Sequence, residues 1–199
     1  MFTGIVKSIG VIKSVQEKNG GMELVIEANF SHSLETGQSA LISGICSTVT
    51  RLDGQNPVFF YMTETLEKTT ASQWQAGARV NIEPSLRIGD TMDGHFVFGH
   101  IDGKGHIERI EKSSDSWTFF LKAGKEIVDF FVPKASVALD GVSLTLIDVN
   151  EETFSVALTP FTLEHTTLGL QKEGQNVNIE VDMLAKYVEN YARREGRIN

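Results

Sequence analysis

The side chains with the strongest chemical potential in this chain are its single cysteine, Cys46, and the histidines of the segment DGHFVFGHIDGKGH at 93–106. A thiol becomes a nucleophile in an electropositive, partly exposed setting, whereas a lone cysteine is more often a small buried hydrophobe. A histidine beside a bound ligand can act as an acid or a base, because the ordinary pKa of imidazole lies near neutral pH. These residues are therefore the first candidates for chemistry.

The segment 93–106 also raises the question of a metal site, because it contains His95, His100, Asp102 and His106. Along a continuous strand, His95 and His100 have opposite parity and would point to opposite faces. Their spacing matches no compact zinc pattern. The sequence GKGHIE lacks the third glycine of a dinucleotide fingerprint. A histidine acting beside a ligand is favoured, and neither a metal nor a cofactor is predicted.

The elements that must position these side chains come in two copies. Residues 65–83, TLEKTTASQWQAGARVNIE, match residues 162–180, TLEHTTLGLQKEGQNVNIE, at ten of 19 positions without a gap. At the same offset of 97, the segment 39–50 matches 136–147, and at an offset of 95 the segment 2–12 matches 98–107. A repeat of this length indicates a duplicated domain. The join is predicted near 84–94.

The two copies differ where chemistry is expected. Cys46 of the first copy corresponds to Ser143 of the second, and His100 of the second corresponds to Ile5 of the first. A thiol in one copy and a hydroxyl in the other suggest that one barrel carries out chemistry while the other mainly holds a ligand.

Within each copy the dominant hydrophobic period is two. Runs such as MELVIEANF, SVALDGVSLTLIDV and NVNIEVDM are rich in β-branched and aromatic residues and are bounded by turn residues. Several short strands at this spacing predict a small closed barrel for each copy. Short helices of two or three turns are predicted at FSHSLETG, GKEIVDFF and TTASQWQAG.

The repeated hexapeptide, TLEKTT at 65–70 and TLEHTT at 162–167, allows two interpretations. Its threonines and glutamate could cap the short helix that follows. Alternatively, the hydroxyls and backbone amides could line a pocket for a polar heterocycle such as a pterin or a flavin.

The tail beyond the repeat, DMLAKYVENYARRE at 182–195, is predicted to be a helix. Leu184, Tyr187, Val188 and Tyr191 recur at intervals of three and four and mark one apolar face. Asp182 stands at the expected N-cap. The apolar face either packs on its own barrel or forms a subunit contact.

Composition excludes several classes of partner. The formal net charge of −8 argues against nucleic acid, since binding a phosphate backbone needs clustered lysine and arginine. We expect no membrane span, since no apolar run is long enough, and no secretion signal at the start of the sequence. A single cysteine cannot form an internal disulfide and suits a reducing cytoplasm.

Taken together, the motifs resemble those of the riboflavin synthase family, which is built from two lumazine-binding repeats. The likeness spans the chain through MFTGIV, SGICSTVT, GHFVFGHIDG, DGVSLTL, TLEHTTLG and VNIEVDMLAKYV. It implies an all-β fold of two tandem closed Greek-key β-barrels, at 1–94 and 95–181, followed by a trimerisation helix and tail at 182–199. It also implies a cytoplasmic homotrimer in which each active site lies between barrels of neighbouring subunits.

The activity implied by the resemblance is the last step of riboflavin biosynthesis. Two molecules of 6,7-dimethyl-8-ribityllumazine react, and one gives a four-carbon unit to the other, so that riboflavin and 5-amino-6-ribitylaminouracil form without a metal or redox cofactor. The alternatives from other classes are a non-catalytic lumazine or flavin carrier and a flavin-binding oxidoreductase domain. The oxidoreductase alternative is disfavoured because this sequence shows no nicotinamide-binding half.

Site residues carry over from the family motif by motif. The implied catalytic residues are His100, Cys46 and Ser39. The other residues of the implied N-terminal pocket are Phe2, Gly4, Ile5, Val6, Ser47, Thr48, Met62, Glu64, Thr65, Gly99 and Ile101. Those of the implied C-terminal pocket are Lys134, Ser143, Leu144, Thr145, Leu158, Thr159, Pro160, Thr162 and Asp182.

Two positions depart from the family pattern. Ser47 stands where the family commonly has leucine after the cysteine, so a hydroxyl replaces an apolar side chain. Phe161 of the second copy corresponds to Glu64 of the first. The Ser47 change bears on packing or affinity in the N-terminal barrel, and neither change removes Cys46 or His100.

Overall fold

The duplication in the sequence corresponds to two closed six-stranded antiparallel β-barrels in a computed structural model, which describes residues 1–28 and 34–196. The first barrel consists of β1 (Ser8–Lys18), β2 (Gly21–Glu27), β3 (Ser39–Ile42), β4 (Ile45–Asp53), β5 (Asn56–Tyr61) and β6 (Arg79–Pro84). The second consists of β7 (Gly103–Lys112), β8 (Trp117–Lys122), β9 (Ser136–Leu139), β10 (Val142–Val149), β11 (Thr153–Leu158) and β12 (Asn176–Val181). The predicted fold of two duplicated barrels is confirmed.

Strand order is the same in both barrels. Around the first barrel it is β1-β2-β5-β4-β3-β6, with β6 closing on β1, and around the second it is β7-β8-β11-β10-β9-β12. β5 and β4 stand between β2 and β3 in this order, which is the strand order of a Greek key. Closure pairs both edges of each sheet and so leaves no open edge strand.

Strict alternation along β4 shows why these segments form strands and which side chains leave the core. Ile45, Ser47 and Val49 are buried, whereas Cys46 and Thr48 are exposed. Successive strand residues point to opposite faces, so Cys46 and Thr48 lie on the outside of the barrel. The apolar inner positions of each barrel form a separate core.

The repeated hexapeptide ends a short helix in each copy. The helices are α1 (Thr63–Lys68) and α3 (Pro160–His165), each followed by a 3-10 turn, at Thr70–Gln73 and Thr167–Leu170. The hydroxyls of Thr69 and Thr166 accept hydrogen bonds from the backbone N–H groups two residues later and cap these turns. The capping interpretation therefore holds for these threonines, although most of the motif belongs to a helix that the sequence did not predict.

The two barrels are joined crosswise by asparagines of the repeated Val-Asn-Ile-Glu motif. Asn81 donates to the carbonyl of Asp140 at 2.9 Å and accepts from the N–H of Thr167 at 2.7 Å. Asn178 donates to the carbonyl of Ser43 at 2.8 Å and accepts from the N–H of Thr70 at 2.7 Å. Both amides are buried with their partners satisfied, so the junction resists rearrangement.

The remaining helical predictions had mixed outcomes. GKEIVDFF contains the single-turn helix α2 (Lys125–Val128), and TTASQWQAG contains only the 3-10 turn. The first four residues of FSHSLETG lie outside the described residues. The tail helix is confirmed as α4 (Met183–Arg194), with the Asp182 side chain accepting from the N–H of Leu184 at 3.0 Å.

Most of the apolar face of α4 stays open in the single chain. Leu184, Tyr187 and Val188 are 60%, 70% and 69% exposed. The helix is tied to the second barrel by an ion pair between Lys186 and Asp102 at 2.6 Å. Packing of the stripe on its own barrel is thus wrong for these three side chains.

Candidate active site

The outer face of β3 and β4 gathers three of the predicted residues. Ser39 pairs with Thr48 in the ladder, and Cys46 has the same strand parity as Thr48, so the three side chains share one face. The Ser39 hydroxyl lies near enough to Cys46 to favour the ionised thiol and so to lower its pKa. We name this face, Ser39, Cys46 and Thr48, the thiol site.

A segment of the second barrel reaches across to the thiol site. The N–H of Cys46 donates to the carbonyl of Gly99 at 3.0 Å. A Cβ atom on Gly99 would lie 2.5 Å from the Cys46 nitrogen, and Gly99 has a φ of +78°. Only glycine allows this approach. His100, which is exposed, and Ile101 follow immediately, so the backbone of His100 adjoins the Gly99 carbonyl that Cys46 contacts. The pairing of the His100 and Cys46 side chains stays a prediction.

The surroundings of Cys46 keep its thiol protonated at neutral pH. Burial by its neighbours raises the pKa of the Cys46 thiol, and the charge of Glu180 adds to this effect. The N-terminal amino group and the Ser39 hydroxyl oppose it but do not reverse it. A thiol of raised pKa is a poor nucleophile at neutral pH.

The end of β5 contacts Ser47 inside the first barrel, on the opposite face of β4 from the thiol site. Ser47 is buried, and its hydroxyl lies 2.7 Å from the hydroxyl of Tyr61, the last residue of β5. Met62, Glu64 and Thr65 come next in the chain, and Met62 is 62% exposed. The Ser47 departure is therefore explained by packing: serine satisfies a buried tyrosine hydroxyl that leucine would leave unpaired.

The second barrel repeats this arrangement around Ser143. The N–H of Ser143 donates to the carbonyl of Gly4 at 2.8 Å, and a Cβ on Gly4 would lie 2.7 Å from the Ser143 Cβ. Thr145 lies on the same face of β10 and pairs with Ser136 of β9. We name the face of Ser136, Ser143 and Thr145 the hydroxyl site.

This contact corrects the grouping of the N-terminal motif. The resemblance places Gly4 in the pocket of the N-terminal barrel, together with its neighbours Ile5 and Val6, but Gly4 lies on the hydroxyl site of the C-terminal barrel. The physical reason is that the segment before the first strand of each barrel crosses to the other barrel. Sequence alignment of the copies shows which residues correspond but not which barrel a segment contacts.

His95 is part of the hydroxyl site, and its contact there was missed. Its Nδ1 lies 2.7 Å from the Ser143 hydroxyl, and its Nε2 is buried without a hydrogen-bond partner among the described residues. Burial lowers the pKa of His95, and the negative charge of Asp182 only partly opposes this effect. At neutral pH the ring is therefore neutral and can orient the Ser143 hydroxyl. His95 has no counterpart in the first copy, so the repeat gave no signal for it.

Lys134 borders the hydroxyl site in an unusual backbone conformation. Its φ is +73°, whereas the corresponding residue of the first copy is Gly37 with a φ of +89°. The N–H of Lys134 donates to the carbonyl of Leu146, directly after Thr145. A lysine in the left-handed region costs about 1 kcal/mol or more, and such strain is concentrated at functional positions.

Several of the remaining predicted residues lie in the short helices that follow β5 and β11. Thr159 caps α3, and its hydroxyl lies 3.1 Å from that of Thr162, with Pro160 between them. In place of the Glu64–Lys68 ion pair of α1, α3 carries Phe161 stacked on His165 at 4.0 Å between ring centroids. The side chains of four residues face the interior, namely Phe2, Ser47, Leu144 and Leu158.

The histidine-rich segment shows no metal site in the described part of the chain. Across 1–28 and 34–196, no group of three or more histidine, cysteine, aspartate or glutamate side chains is placed to hold an ion. His106 pairs with Asn176 at 3.1 Å. Within the same ranges, no helix is long and apolar enough to cross a membrane.

Comparison with known proteins identifies the class of the two barrels. The family model described as "Lumazine binding domain" matches residues 3–85 and 98–182. Among solved structures, LumP complexed with 6,7-dimethyl-8-(1'-D-ribityl) lumazine superposes with a TM-score of 0.81 at 23% identity, covering 91% of this chain and 99% of that chain. LumP complexed with riboflavin gives 0.83 at 24%, with the same coverage. At this identity the two structures support the fold alone.

Curated relatives narrow the class. A riboflavin synthase of Brucella abortus (strain 2308) is 43% identical, over 97% of this chain and 98% of its own length. That of Chlamydia pneumoniae is 36% identical over 94% and 92%, and that of Bacillus subtilis (strain 168) is 35% identical over 94% and 88%. The chain belongs to the riboflavin synthase family of proteins with two lumazine-binding domains.

Proposed function

We propose that the protein converts two molecules of 6,7-dimethyl-8-ribityllumazine into riboflavin and 5-amino-6-ribitylaminouracil. The observation that carries this proposal is that one chain presents two sites of the same backbone geometry with different chemistry. The thiol site has Cys46 and His100, and the hydroxyl site has Ser143 and His95. A reaction between two copies of one compound in unequal roles, donor and acceptor of four carbons, needs such a pair of sites.

The chemistry asks little of the protein beyond positioning and proton transfer. The 7-methyl protons of the lumazine are acidic, because the conjugated ring delocalises the carbanion that forms when one is removed. Holding two rings face to face then supplies several kcal/mol, about 7 at the lower end of measured proximity effects. His100, exposed at the edge of the thiol site, is the group we assign to proton transfer.

Cys46 and Ser39 are assigned to the acceptor lumazine. Addition at its C7 requires that the ring be held in one orientation while the carbanion of the donor approaches. A protonated thiol beside the Ser39 hydroxyl can donate to a ring atom or to a developing negative charge. The assignment of Cys46 as an orienting group follows from its raised pKa.

The backbone contacts of Gly99 with Cys46 and of Gly4 with Ser143 decide to which of the two sites we assign each binding residue. The thiol site would use Ser39, Cys46, Ser47, Thr48, Met62, Glu64, Thr65, Gly99, His100 and Ile101. The hydroxyl site, which includes His95 and Ser136, would also use Phe2, Gly4, Ile5, Val6, Lys134, Ser143, Leu144, Thr145, Leu158, Thr159, Pro160, Thr162 and Asp182. Residues with buried side chains would contribute through their backbone or by supporting their neighbours.

The assembly we propose is a cytoplasmic homotrimer, with domains at 1–94 and 95–181 and a trimerisation segment at 182–199. Each active site would combine the thiol site of one subunit with the hydroxyl site of its neighbour. The exposed apolar face of α4 supports a subunit contact, because an apolar stripe of this kind is unusual on a monomer. Neither nucleic acid nor a membrane is a proposed partner.

The alternative from another class is a carrier that binds lumazine or riboflavin without turnover. The fold similarity to LumP supports this carrier alternative, since LumP is seen complexed with 6,7-dimethyl-8-(1'-D-ribityl) lumazine and with riboflavin. The presence of Cys46, His100 and Ser143 in one chain favours the enzyme.

Turnover of the purified, chelator-treated protein decides between the two functions. With 6,7-dimethyl-8-ribityllumazine as the sole substrate, we expect riboflavin to form. His100→Gln should lower turnover strongly while lumazine binding, followed by fluorescence quenching, changes less. Cys46→Ser, which gives the thiol site the residue of the hydroxyl site, should retain more activity than His100→Gln. Tight binding without riboflavin formation in the unsubstituted protein would establish the carrier.

A further inference from the structure

The segment before the first strand of each barrel crosses to the other barrel, at Thr3 and Gly4 before β1 and at Phe98 and Gly99 before β7. One buried carboxylate of the repeated Val-Asn-Ile-Glu motif holds each of these two crossing segments. Glu180 on β12 is 2% exposed, and its two oxygens accept from the N–H groups of Phe98 at 2.7 Å and Gly99 at 2.8 Å. Glu83 on β6 is 3% exposed and accepts from the N–H groups of Thr3 at 2.7 Å and Gly4 at 3.0 Å.

The carboxylates act across the barrel boundary. Glu180 belongs to the second barrel, but the segment that it holds lies on Cys46 of the first barrel. Glu83 belongs to the first barrel, but the segment that it holds lies on Ser143 of the second. Every step in each connection is a hydrogen bond between a side chain and backbone or between backbone groups.

We infer that Glu180 is a positioning residue of the thiol site, which sets the placement of His100 against Cys46 from the opposite barrel. Glu83 has the equivalent role for the hydroxyl site. The inference rests on the proposed function only for the identity of the reaction, because the contacts with Cys46 and Ser143 are those of the chain itself.

The geometry requires a carboxylate at both positions. Two neighbouring N–H groups point at each side chain, and a carboxylate can accept from both at once. A glutamine of the same shape can accept from one of them, but its own NH₂ group would face the other donor. An aspartate keeps the charge but is too short by one methylene to reach the same two donors.

The electrostatic setting of Glu180 adds a second reason to expect that a substitution of Glu180 disturbs the crossing segment. Burial raises the pKa of the Glu180 carboxyl, while the hydrogen bonds from Phe98 and Gly99 favour its ionised form. Lys186 of α4 also favours the ionised form, and Asp102 opposes it. The ionised carboxylate is the state that holds the crossing segment, so its stability depends on these neighbours.

The test uses the reactivity of Cys46, the only cysteine in the sequence, towards iodoacetamide in the full chain. Cys46 is exposed on the outer face of β4, and loss of the Glu180 contacts should free the segment at Gly99 and widen access to the thiol. For Glu180→Gln we expect alkylation to accelerate by about ten-fold, the scale of losing a charge-assisted hydrogen bond. Glu83→Gln, which loosens the other site, should leave the Cys46 rate within about two-fold of the parent.

A charge control separates positioning from a direct electrostatic effect on the thiol. Glu180→Asp keeps the negative charge and loses the reach, so positioning predicts faster alkylation in this variant as well. If Glu180→Gln alone reacts faster, and only through a lowered thiol pKa in the pH–rate profile, the effect is electrostatic and the inference fails. Glu152→Gln, at a surface ion pair with Lys122, should react like the parent.

Hydrogen exchange on the unsubstituted protein keeps the inference testable if the Glu180 variants fail to fold. The amides of Phe98 and Gly99 should be protected to the same degree as those of Thr3 and Gly4. Rapid exchange at Phe98 and Gly99 would overturn the inference, as would equal alkylation rates in Glu180→Gln and Glu83→Gln. Neither readout requires turnover, so failure of the proposed reaction would leave this result separate.

Discussion

Replacing Gly99 by alanine should disrupt the thiol site at the point where the two barrels touch. The new Cβ would lie 2.5 Å from the backbone nitrogen of Cys46 and 2.6 Å from its Cβ. Both atoms are held by β4, so no rotation of a flexible side chain relieves the contact. The segment carrying His100 must therefore retreat by roughly 1 Å to regain an ordinary separation of about 3.5 Å.

The expected magnitude has two parts. Alanine at a φ of +78° costs about 1 kcal/mol in backbone strain. Overpacking against backbone adds about 1–3 kcal/mol, so Gly99→Ala should lower the free energy of unfolding by about 2–4 kcal/mol. Gly77→Ala is the matched control, because Gly77 has a φ of +88° and its added Cβ would meet no atom of the described chain within 4 Å. It should cost only the strain.

Urea denaturation of the two variants measures the stability difference, and steady-state riboflavin formation measures its effect on the site. A displacement of about 1 Å at a reacting group can lower turnover by about 100-fold, so Gly99→Ala should lose most of its activity and Gly77→Ala should keep it. If the two variants are equally stable and equally active, the contact between Gly99 and Cys46 does not position His100, and the reasoning is refuted.

Three other perturbations follow from single features of the structure. Lys134→Gly should raise the free energy of unfolding by about 1 kcal/mol in urea denaturation, because it relieves a left-handed lysine, and should weaken lumazine binding measured by fluorescence quenching; unchanged binding would remove Lys134 from the site. Tyr187→Ser combined with Val188→Ser should lower the mass measured by light scattering, because both side chains are exposed on α4; an unchanged mass would refute the contact. Burial raises the pKa of Asp140 to about 7, so the folded protein holds this proton more tightly than the unfolded chain does. The free energy of unfolding should therefore fall as pH rises from about 4 to 7, and Asp140→Asn should flatten that part of the profile. An identical slope in the variant would contradict the raised pKa.

Much of the fold was accessible from the sequence because duplication makes each copy a check on the other. The Val-Asn-Ile-Glu motif is repeated because each copy needs the same asparagine and carboxylate at the barrel junction, and the two threonines that end the hexapeptide are repeated because each copy needs the same cap on its 3-10 turn. Period-two alternation predicted barrels, and the spacing of Leu184, Tyr187 and Val188 predicted α4. These signals are local, because the alternation along one strand or the spacing along one helix is enough to produce them.

The contacts that join the barrels were not accessible in the same way. A crossing segment is adjacent in sequence to the strand of its own barrel, but it contacts the other barrel. The sequence therefore groups Gly4 with the first barrel, although Gly4 lies on Ser143 of the second. The role of His95 depends on a hydrogen bond spanning 48 positions, and no repeat partner marks it. The six-residue helices α1 and α3 were missed because they are too short to show a helical period.

The most direct test of the account is the stoichiometry of the reaction catalysed by the purified, chelator-treated protein. Chromatography should show two molecules of 6,7-dimethyl-8-ribityllumazine consumed for each riboflavin and each 5-amino-6-ribitylaminouracil formed, because one substrate gives four carbons to the other. His100→Gln should show the same ratio at a much lower rate. Lumazine that is bound, altered in fluorescence and recovered in full would contradict the account, as would riboflavin formed without the pyrimidine product in equal amount.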